Sequence, residues 1–238
     1  MKVSTLNVWG AHGPAIRQRI LLDALKKLDA DLLCLQEVTD KTLLESLSYP
    51  YQLYTQGSEL AIVSRLPVET HRLVTLSAVS ALEPYRRQVL MAQFAIGETL
   101  LWVVTTHLAW KPEDEMTRLA QVKELLELVS PLGNNVLLSG DFNAEPDHLP
   151  IRQLQDADFL DLFATLHPEE PGITWDNRNP FIQSHSVHFP NRRIDYLFLR
   201  KEALSTFPLA TCKVTCRVST PEGLYPSDHY GVLATFDR

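Results

Sequence analysis

Asn134-Asn135-Val136-Leu137-Leu138-Ser139-Gly140-Asp141-Phe142-Asn143 (residues 134–143) is an apolar strand that surfaces on an acid and an amide. Asn134–Ser139 reads as the strand. Asp141 and Asn143, two apart at its exit, point the same way in extended chain, and Gly140 clears the approach. An Asx-turn would need only one of the two polar residues. Working outward, other apolar runs end in the same manner: Leu6-Asn7-Val8-Trp9-Gly10, Gln36-Glu37-Val38, Thr106-His107-Leu108, and, after Arg193-Ile194-Asp195-Tyr196, Ser227-Asp228-His229-Tyr230. If these surfacing points share one sheet edge, they make an acidic, histidine-containing pocket suited to a metal ion and a phosphate.

The elements around these points fall into two strand-rich halves, each with one long amphipathic helix. In the first, Lys2–Val8 reads as strand. Pro14–Leu28 follows as a helix with Pro in its first turn and Ile16, Ile20, Ala24, Leu25 and Leu28 on one face. Asp31–Val38 is a strand covered on both sides, and Thr39–Leu47 a short helix. Tyr51–Thr55, Glu59–Ser64, Val68–Leu76, Arg86–Ile96 and Thr99–His107 read as strands, the last two joined by a tight turn at Gly97-Glu98. A second helix spans about 113–129, with Met116, Leu119, Val122, Leu126 and Val129 at helical spacing. After Asn134–Ser139, a loop-rich stretch leads to Thr174-Trp175, and Arg193–Arg200, Ala210–Val218 and His229–Phe236 finish the chain as strands. Two packed sheets with helices outside are the expected arrangement.

A chain of 238 residues with 45% hydrophobic content, free of composition breaks, reads as one domain spanning 1–238. Its net charge of −7 offers no broad basic field for duplex nucleic acid. No apolar run reaches membrane-spanning length and the N-terminus lacks a signal-type stretch, so a soluble, cytoplasmic monomer is expected. The three cysteines fit a reducing compartment. Cys34 sits in an apolar run as a small hydrophobe, while Cys212 and Cys216, four apart in a strand, stand about 13 Å from each other, beyond disulfide reach.

Each polar strand end has an ordinary alternative use. Glu37 can cap the next helix, Asn7 can serve a turn, and Asp228-His229 can be a turn acid beside a surface histidine. Asp195 is more constrained. In Arg193–Leu199, Ile194, Tyr196 and Phe198 share one face, and Asp195 shares the other with Leu197 and Leu199, so a histidine or arginine partner is expected. Several carboxylates this close repel unless a cation offsets them, and Mg²⁺ typically takes one or two carboxylates while leaving room for water and phosphate.

The ordered set Asn7, Glu37, His107, Asp141, Asn143, Asp195, Asp228 and His229 resembles the endonuclease/exonuclease/phosphatase superfamily, which includes DNase I-like nucleases, sphingomyelinases and inositol polyphosphate 5-phosphatases. The resemblance spans nearly the whole chain and rests on Gly-Asp-Phe-Asn and Ser-Asp-His in this order. It implies an α/β fold, a four-layer α/β/β/α sandwich of two mainly antiparallel sheets. It also implies Mg²⁺, with Mn²⁺ as a substitute, held by Glu37 with Asn7 and Asp228. By the same resemblance, Asp141 orients or deprotonates the attacking water and Asn143 hydrogen-bonds the phosphate. His229, oriented by Asp195, stabilises the transition state, and His107 donates to phosphate or leaving group.

Two departures narrow the branch. Abasic-site endonucleases carry a Tyr where His107 stands. DNase I-like members pair the first histidine with a Glu just before the equivalent strand, where this chain has Arg86-Arg87-Gln88. For substrate, Trp110 beside Lys111, and Trp175, Arg178 and Asn179 within Gly172–Phe181, combine aromatics and cations able to stack on a base or clasp a head group. The alternative for the second segment is a structured loop plugged by Trp175 and Phe181. Arg118 and Lys123 read as a solvated helix face. The expected activity is Mg²⁺-dependent cleavage of a phosphodiester, in nucleic acid or in a smaller or lipid diester. A phosphomonoesterase acting on a phosphorylated lipid or sugar is the second reading, and an idle binding scaffold on the same fold the third.

Overall fold

The computed structural model describes residues 1–55, 57–217 and 220–237, and shows two six-stranded sheets stacked face to face with helices on both outer surfaces. In chain order the elements are β1 (Lys2–Asn7), α1 (Ile16–Leu28), β2 (Leu32–Gln36), α2 (Lys41–Glu45), β3 (Tyr51–Tyr54), β4 (Ala61–Ser64), β5 (Val68–Thr75), β6 (Gln88–Ile96), β7 (Thr99–His107), α3 (Glu115–Val129), β8 (Val136–Asp141), α4 (Leu149–Asp156), β9 (Phe159–Asp161), α5 (Leu162–Leu166), β10 (Asp195–Arg200), β11 (Leu209–Thr215) and β12 (Gly231–Phe236). The expected strand Ala210–Val218 is present through Thr215, and its last residue, Val218, lies outside the described residues.

One sheet has the order β11-β12-β1-β2-β4-β3 and the other β5-β6-β7-β8-β10-β9. Neighbours are antiparallel except β1–β2 and β7–β8, so both sheets are mixed, each with one parallel pair near its centre. The reason lies in the connections. A parallel pair needs a long crossover, and α1 and α3, the two long helices, supply it. The sheets also match in plan: in each, a parallel β-α-β unit has two strands on one side and two on the other.

Alternation along the strands builds three apolar layers. Val3, Leu32, Cys34, Leu90, Phe94, Leu137, Leu197 and Leu199 fill the space between the sheets. Val104, Leu138, Tyr196 and Phe198 pack outward against Val122, Leu125 and Val129 of α3. Leu6, Leu33 and Leu35 pack against Leu21 and Leu25 of α1. The face predicted for Asp195 is therefore the inter-sheet face. Gly140 sits where β8 presses on β7. Its φ is +136°, and a methyl group there would overlap the backbone oxygen of Thr106. Gly140→Ala is expected to lower the unfolding free energy by about 3 kcal/mol, through steric strain on both strands, read as a reduced urea midpoint at unchanged slope; an unchanged midpoint would contradict that packing.

Three expectations need correction. The loop-rich stretch before Trp175 holds α4, β9 and α5. These are short, and Pro150 near the start of α4 masks a helix that tolerates proline in its first turn. The buried stripe of α1 is Arg17, Leu21 and Leu25, while Ile16 is half exposed. Likewise the buried residues of α3 are Arg118, Gln121, Val122, Leu125 and Val129, while Met116 is exposed. Arg118 is thus a core residue and not part of a solvated face; Lys123 is exposed as expected. Both helices are rotated from their apolar stripe because a buried arginine has carbonyl partners beneath it. Arg17 donates to the carbonyls of Val8, Trp9, Gly10, His12 and Pro226. Arg118 donates to those of Ala109, Lys111 and Pro112.

Candidate active site

The inward-facing residues of the central strands change from apolar to polar toward one end of the sandwich. They read Val3, Thr5, Asn7 on β1; Leu32, Cys34, Gln36 on β2; Val103, Thr105, His107 on β7; Leu137, Ser139, Asp141 on β8; and Leu199, Leu197, Asp195 on β10. Register aligns the polar ends: Asn7 is opposite Gln36, and Asp141 is opposite both His107 and Asp195. Beneath them a buried bridge joins the sheets, as Gln36 Nε2 donates to Thr105 Oγ1 at 2.9 Å and to Thr5 Oγ1 at 3.1 Å. The two strand ends are thereby held at a fixed separation.

Beyond the strands the chain bends sharply. Trp9, Glu37 and Asn143 all have left-handed φ angles, +56°, +57° and +48°. For residues with a Cβ each costs about 1 kcal/mol or more, and such outliers concentrate at functional sites. The bend turns Glu37 toward Asn7, whose Nδ2 donates to Glu37 Oε1 at 2.9 Å and to Asp141 Oδ2 at 3.1 Å. Asn143 N donates to Asp141 Oδ1 at 2.9 Å, and Asn143 Nδ2 to the Leu108 carbonyl. The Gly-Asp-Phe-Asn segment is an Asx-turn and a site wall at once.

His229 completes the cluster. Its Nδ1 lies 2.9 Å from Asp195 Oδ2 and its Nε2 3.7 Å from Asp141 Oδ2, so Asp195 has the partner its buried position required. Burial alone would pull the imidazole pKa down. The charges of Asp195, Asp141 and Asp228 more than reverse that and hold it at about 10. His107, 3.6 Å from Asp141 through Nε2, goes the other way: burial, Arg87 and His229 keep it well below the ordinary histidine range, hence neutral. Arg87, from the Arg86-Arg87-Gln88 segment, is itself held by Glu83, to which Nε and Nη2 donate at 2.9 and 2.6 Å.

The two acids rise. Burial, then the charge of Asp228, lifts Glu37 to about 7 against the hydrogen bond from Asn7. Burial, then Asp195, lifts Asp141 to about 6. Asp228 accepts from Ser227 Oγ at 3.1 Å and lies 2.8 Å from His185 Nε2. Ligand atoms of Asp141, Asp195 and His229 lie within 4.8 Å of one another and could hold a metal ion. However, an imidazolium already lies between those carboxylates and is their cation. Glu37 and Asp228, beside the Asn7 amide, are a second set of hard oxygen donors that could hold a divalent cation.

These groups face a cavity of about 330 Å³ whose wall includes Glu37, His107, Asp141, Asn143, Asp228 and His229. Trp110 and Trp175 line it, Trp110 with Lys111 Nζ 4.0 Å from its ring centroid. Arg178 and Asn179 do not. Arg178 is tied on the surface to Asp176, 2.6 Å away. Asn179 is fully buried and donates to the carbonyls of Ser227 and Asp228, holding the Asp228 loop. Of the two aromatics in the plugged-loop alternative, Phe181 is buried with its ring tilted against Trp9, centroids 4.9 Å apart, whereas Trp175 lines the cavity. The sequence reading missed Arg17 and Arg118, which brace the loops after β1 and β7. The missed signal is the matching first-turn arginine on both crossover helices.

The fold has counterparts among solved structures. A profile of the Endonuclease/Exonuclease/phosphatase family matches residues 4–229. The chain belongs to this family. Similar solved structures of the family fold include TDP2 of D. rerio complexed with a single-strand DNA product (TM-score 0.83, 21% identity, covering 100% of this chain and 99% of that one). Truncated TDP2 of Caenorhabditis elegans gives 0.79 at 23% identity, covering 100% and 97%. The human nocturnin catalytic domain with bound sulfate gives 0.72 at 19% identity, covering 100% and 94%. In sequence, Protein angel of Drosophila melanogaster is 32% identical over 162 residues, 58% of this chain and 46% of that protein, so the match spans less than half the relative's length. The family's description covers endonucleases, exonucleases and phosphatases, all phosphoric ester hydrolases. Among the described residues, no helix is long and apolar enough to cross a membrane.

Proposed function

We propose that this chain is a Mg²⁺-dependent hydrolase that cleaves a phosphodiester by in-line attack of water. The observation that carries the reading is Asn7, whose one amide joins Glu37 to Asp141 and so couples a cation-seeking acid pair to a base. Glu37, with Asn7 and Asp228, would hold the metal, Mg²⁺ or Mn²⁺ in its place, which when bound supplies charge neutralisation on the nonbridging phosphate oxygens.

The chain's own groups do the rest. Asp141, raised to about 6, is ionised at neutral pH yet basic enough to take a proton from the attacking water. The His229 imidazolium, fixed by Asp195, presents a charged N–H from Nε2 toward the same point, where it stabilises the extra negative charge of the pentavalent transition state. Asn143 orients the phosphate. His107 is neutral, so it serves as a hydrogen-bond donor and not as an acid; the leaving oxygen takes its proton from solvent. This arrangement works at neutral to mildly alkaline pH in a reducing, cytoplasmic setting, with the chain as a monomer.

The deciding experiment is a substrate panel of bis-aryl phosphate, aryl monophosphate, single- and double-stranded DNA, RNA and sphingomyelin, each with Mg²⁺ and with chelator. Diesters are expected to be cleaved only with metal. Hydrolysis of the monoester alone would favour the phosphatase reading, and no turnover of any member would leave the binding scaffold.

A further inference from the structure

Among the described residues five arginines are buried, and four have polar partners that account for them. Arg17 and Arg118 donate to backbone carbonyls, Arg87 pairs with Glu83, and Arg193 pairs with Asp161. Arg192 is different. It is 7% exposed, and, whereas Arg118 and Arg193 leave Nε unpaired but donate from another nitrogen, among the described residues no side-chain nitrogen of Arg192 has a hydrogen-bond partner and no carboxylate lies within ion-pair distance of it. Its guanidinium instead lies against two aromatic rings, 3.5 Å from the centroid of Phe189 and 5.4 Å from that of Trp175. Burial lowers its pKa only to about 10, so it stays a cation at neutral pH. A buried charge without a counter-ion is costly, and the rings supply only part of the compensation.

Its position says what would complete it. Trp175 forms antiparallel bridges with Arg192 on one side and with His229 on the other. Residues paired across a ladder project to the same face, and Arg192, Trp175 and His229 all line the candidate active-site cavity. The row is therefore cation, aromatic, imidazolium. Neighbouring strands stand about 4.8 Å apart, which puts the backbones of Arg192 and His229 about 10 Å from each other. A nucleic-acid strand has the same alternation, a phosphate, a nucleoside and the next phosphate. Phe189 and His185 are half-buried rings on the same cavity wall, giving a base a surface to stack on.

We propose that Arg192 is a substrate-binding residue that receives a second phosphate, the one next along a single nucleic-acid strand from the phosphate being cleaved. The proposal rests on the phosphodiesterase reading and names its substrate class. The guanidinium already packs against two rings in the absence of substrate, which reduces the ordering that binding requires. The chain's net charge of −7 leaves the cleft, and not the outer surface, as the place where a strand is held.

Two measurements test this. The first is binding in chelator, where cleavage is not in play, by fluorescence anisotropy of a labelled thymidine pentanucleotide and of versions with one phosphate replaced by an uncharged methylphosphonate. Replacement at one position next to the reacting phosphate is expected to weaken wild-type binding about 10-fold, the value of one charge-assisted hydrogen bond. Arg192→Met should bind the unmodified strand about 10-fold more weakly and no longer sense that replacement. Arg192→Gln, which keeps a planar polar end, stands in if the Met variant is unfolded by circular dichroism. Wild type indifferent to every replacement, or a variant that still discriminates, overturns the proposal. The second is Mg²⁺-dependent turnover. The loss in kcat/KM on the pentanucleotide should exceed the loss on bis(4-nitrophenyl) phosphate, which has one phosphate, about 10-fold and through KM. Equal losses would assign Arg192 to the reacting phosphate and overturn the proposal. Preserved binding discrimination with no turnover by wild type would instead remove the hydrolase reading and leave the subsite standing.

Discussion

Glu37→Gln is expected to remove Mg²⁺-dependent hydrolysis, with kcat falling by about 10³-fold or more, because a metal site that loses its central carboxylate loses several kcal/mol of charge stabilisation. The side chain keeps its shape and can still accept from Asn7 Nδ2, so the fold has no reason to fail. Stability supplies an independent check. The folded carboxyl has its pKa raised from 4.5 to about 7, first by burial and then by Asp228, so the folded state holds a proton more tightly than the unfolded one. In chelator its ionisation therefore opposes folding, by an amount that is absent below pH 4.5 and grows as pH rises toward about 7. Glu37→Gln should be at least as stable as wild type at pH 7 in urea unfolding with chelator present. Wild-type-like turnover in this variant would end the proposed assignment of the metal site.

His229→Gln is the second large effect. Loss of a charged donor aimed at the transition state typically costs about 10²–10³-fold in kcat, and the reduction should appear with Mg²⁺ saturating and KM little changed. Asp195→Asn should fall in the same range, since Asp195 both holds the His229 imidazole and raises Asp141. The pH dependence has a definite sign. His229 is raised from 6.5 to about 10 in the folded chain, so its contribution to stability is fully present below 6.5 and is lost as pH rises through about 10. Wild type should lose stability relative to His229→Gln across that window. A wild-type advantage that persists unchanged to pH 10 would mean the imidazole is neutral and its assigned role wrong.

Much of this was readable in the chain, and the reason is periodicity. Asp141 and Asp195 stand at the ends of strands whose alternate residues are apolar, so their faces follow from parity alone. The partner required of Asp195 is His229. The α4–β9–α5 segment was not readable, because elements this short depend on contacts made elsewhere; Asp161 illustrates it, capping α5 and pairing with Arg193 from far along the chain. The burial of Arg118, expected on a solvated face, and of Arg17 was not readable for a related reason. A long cation on a helix looks solvated until a loop with unsatisfied carbonyls is folded beneath it.

Local hydrophobic period and turn chemistry carry the two strand-rich halves with one long helix each, the placing of helices outside packed sheets, and the side chains that end each central strand. Only the tertiary structure decided the charge states: His229 is a cation and His107 is neutral although both are buried imidazoles near Asp141. It also decided that Arg178 and Asn179 lie outside the cavity wall while Arg192 lines it. Burial and the sum of neighbouring charges set such outcomes, and both depend on residues brought together from distant parts of the chain.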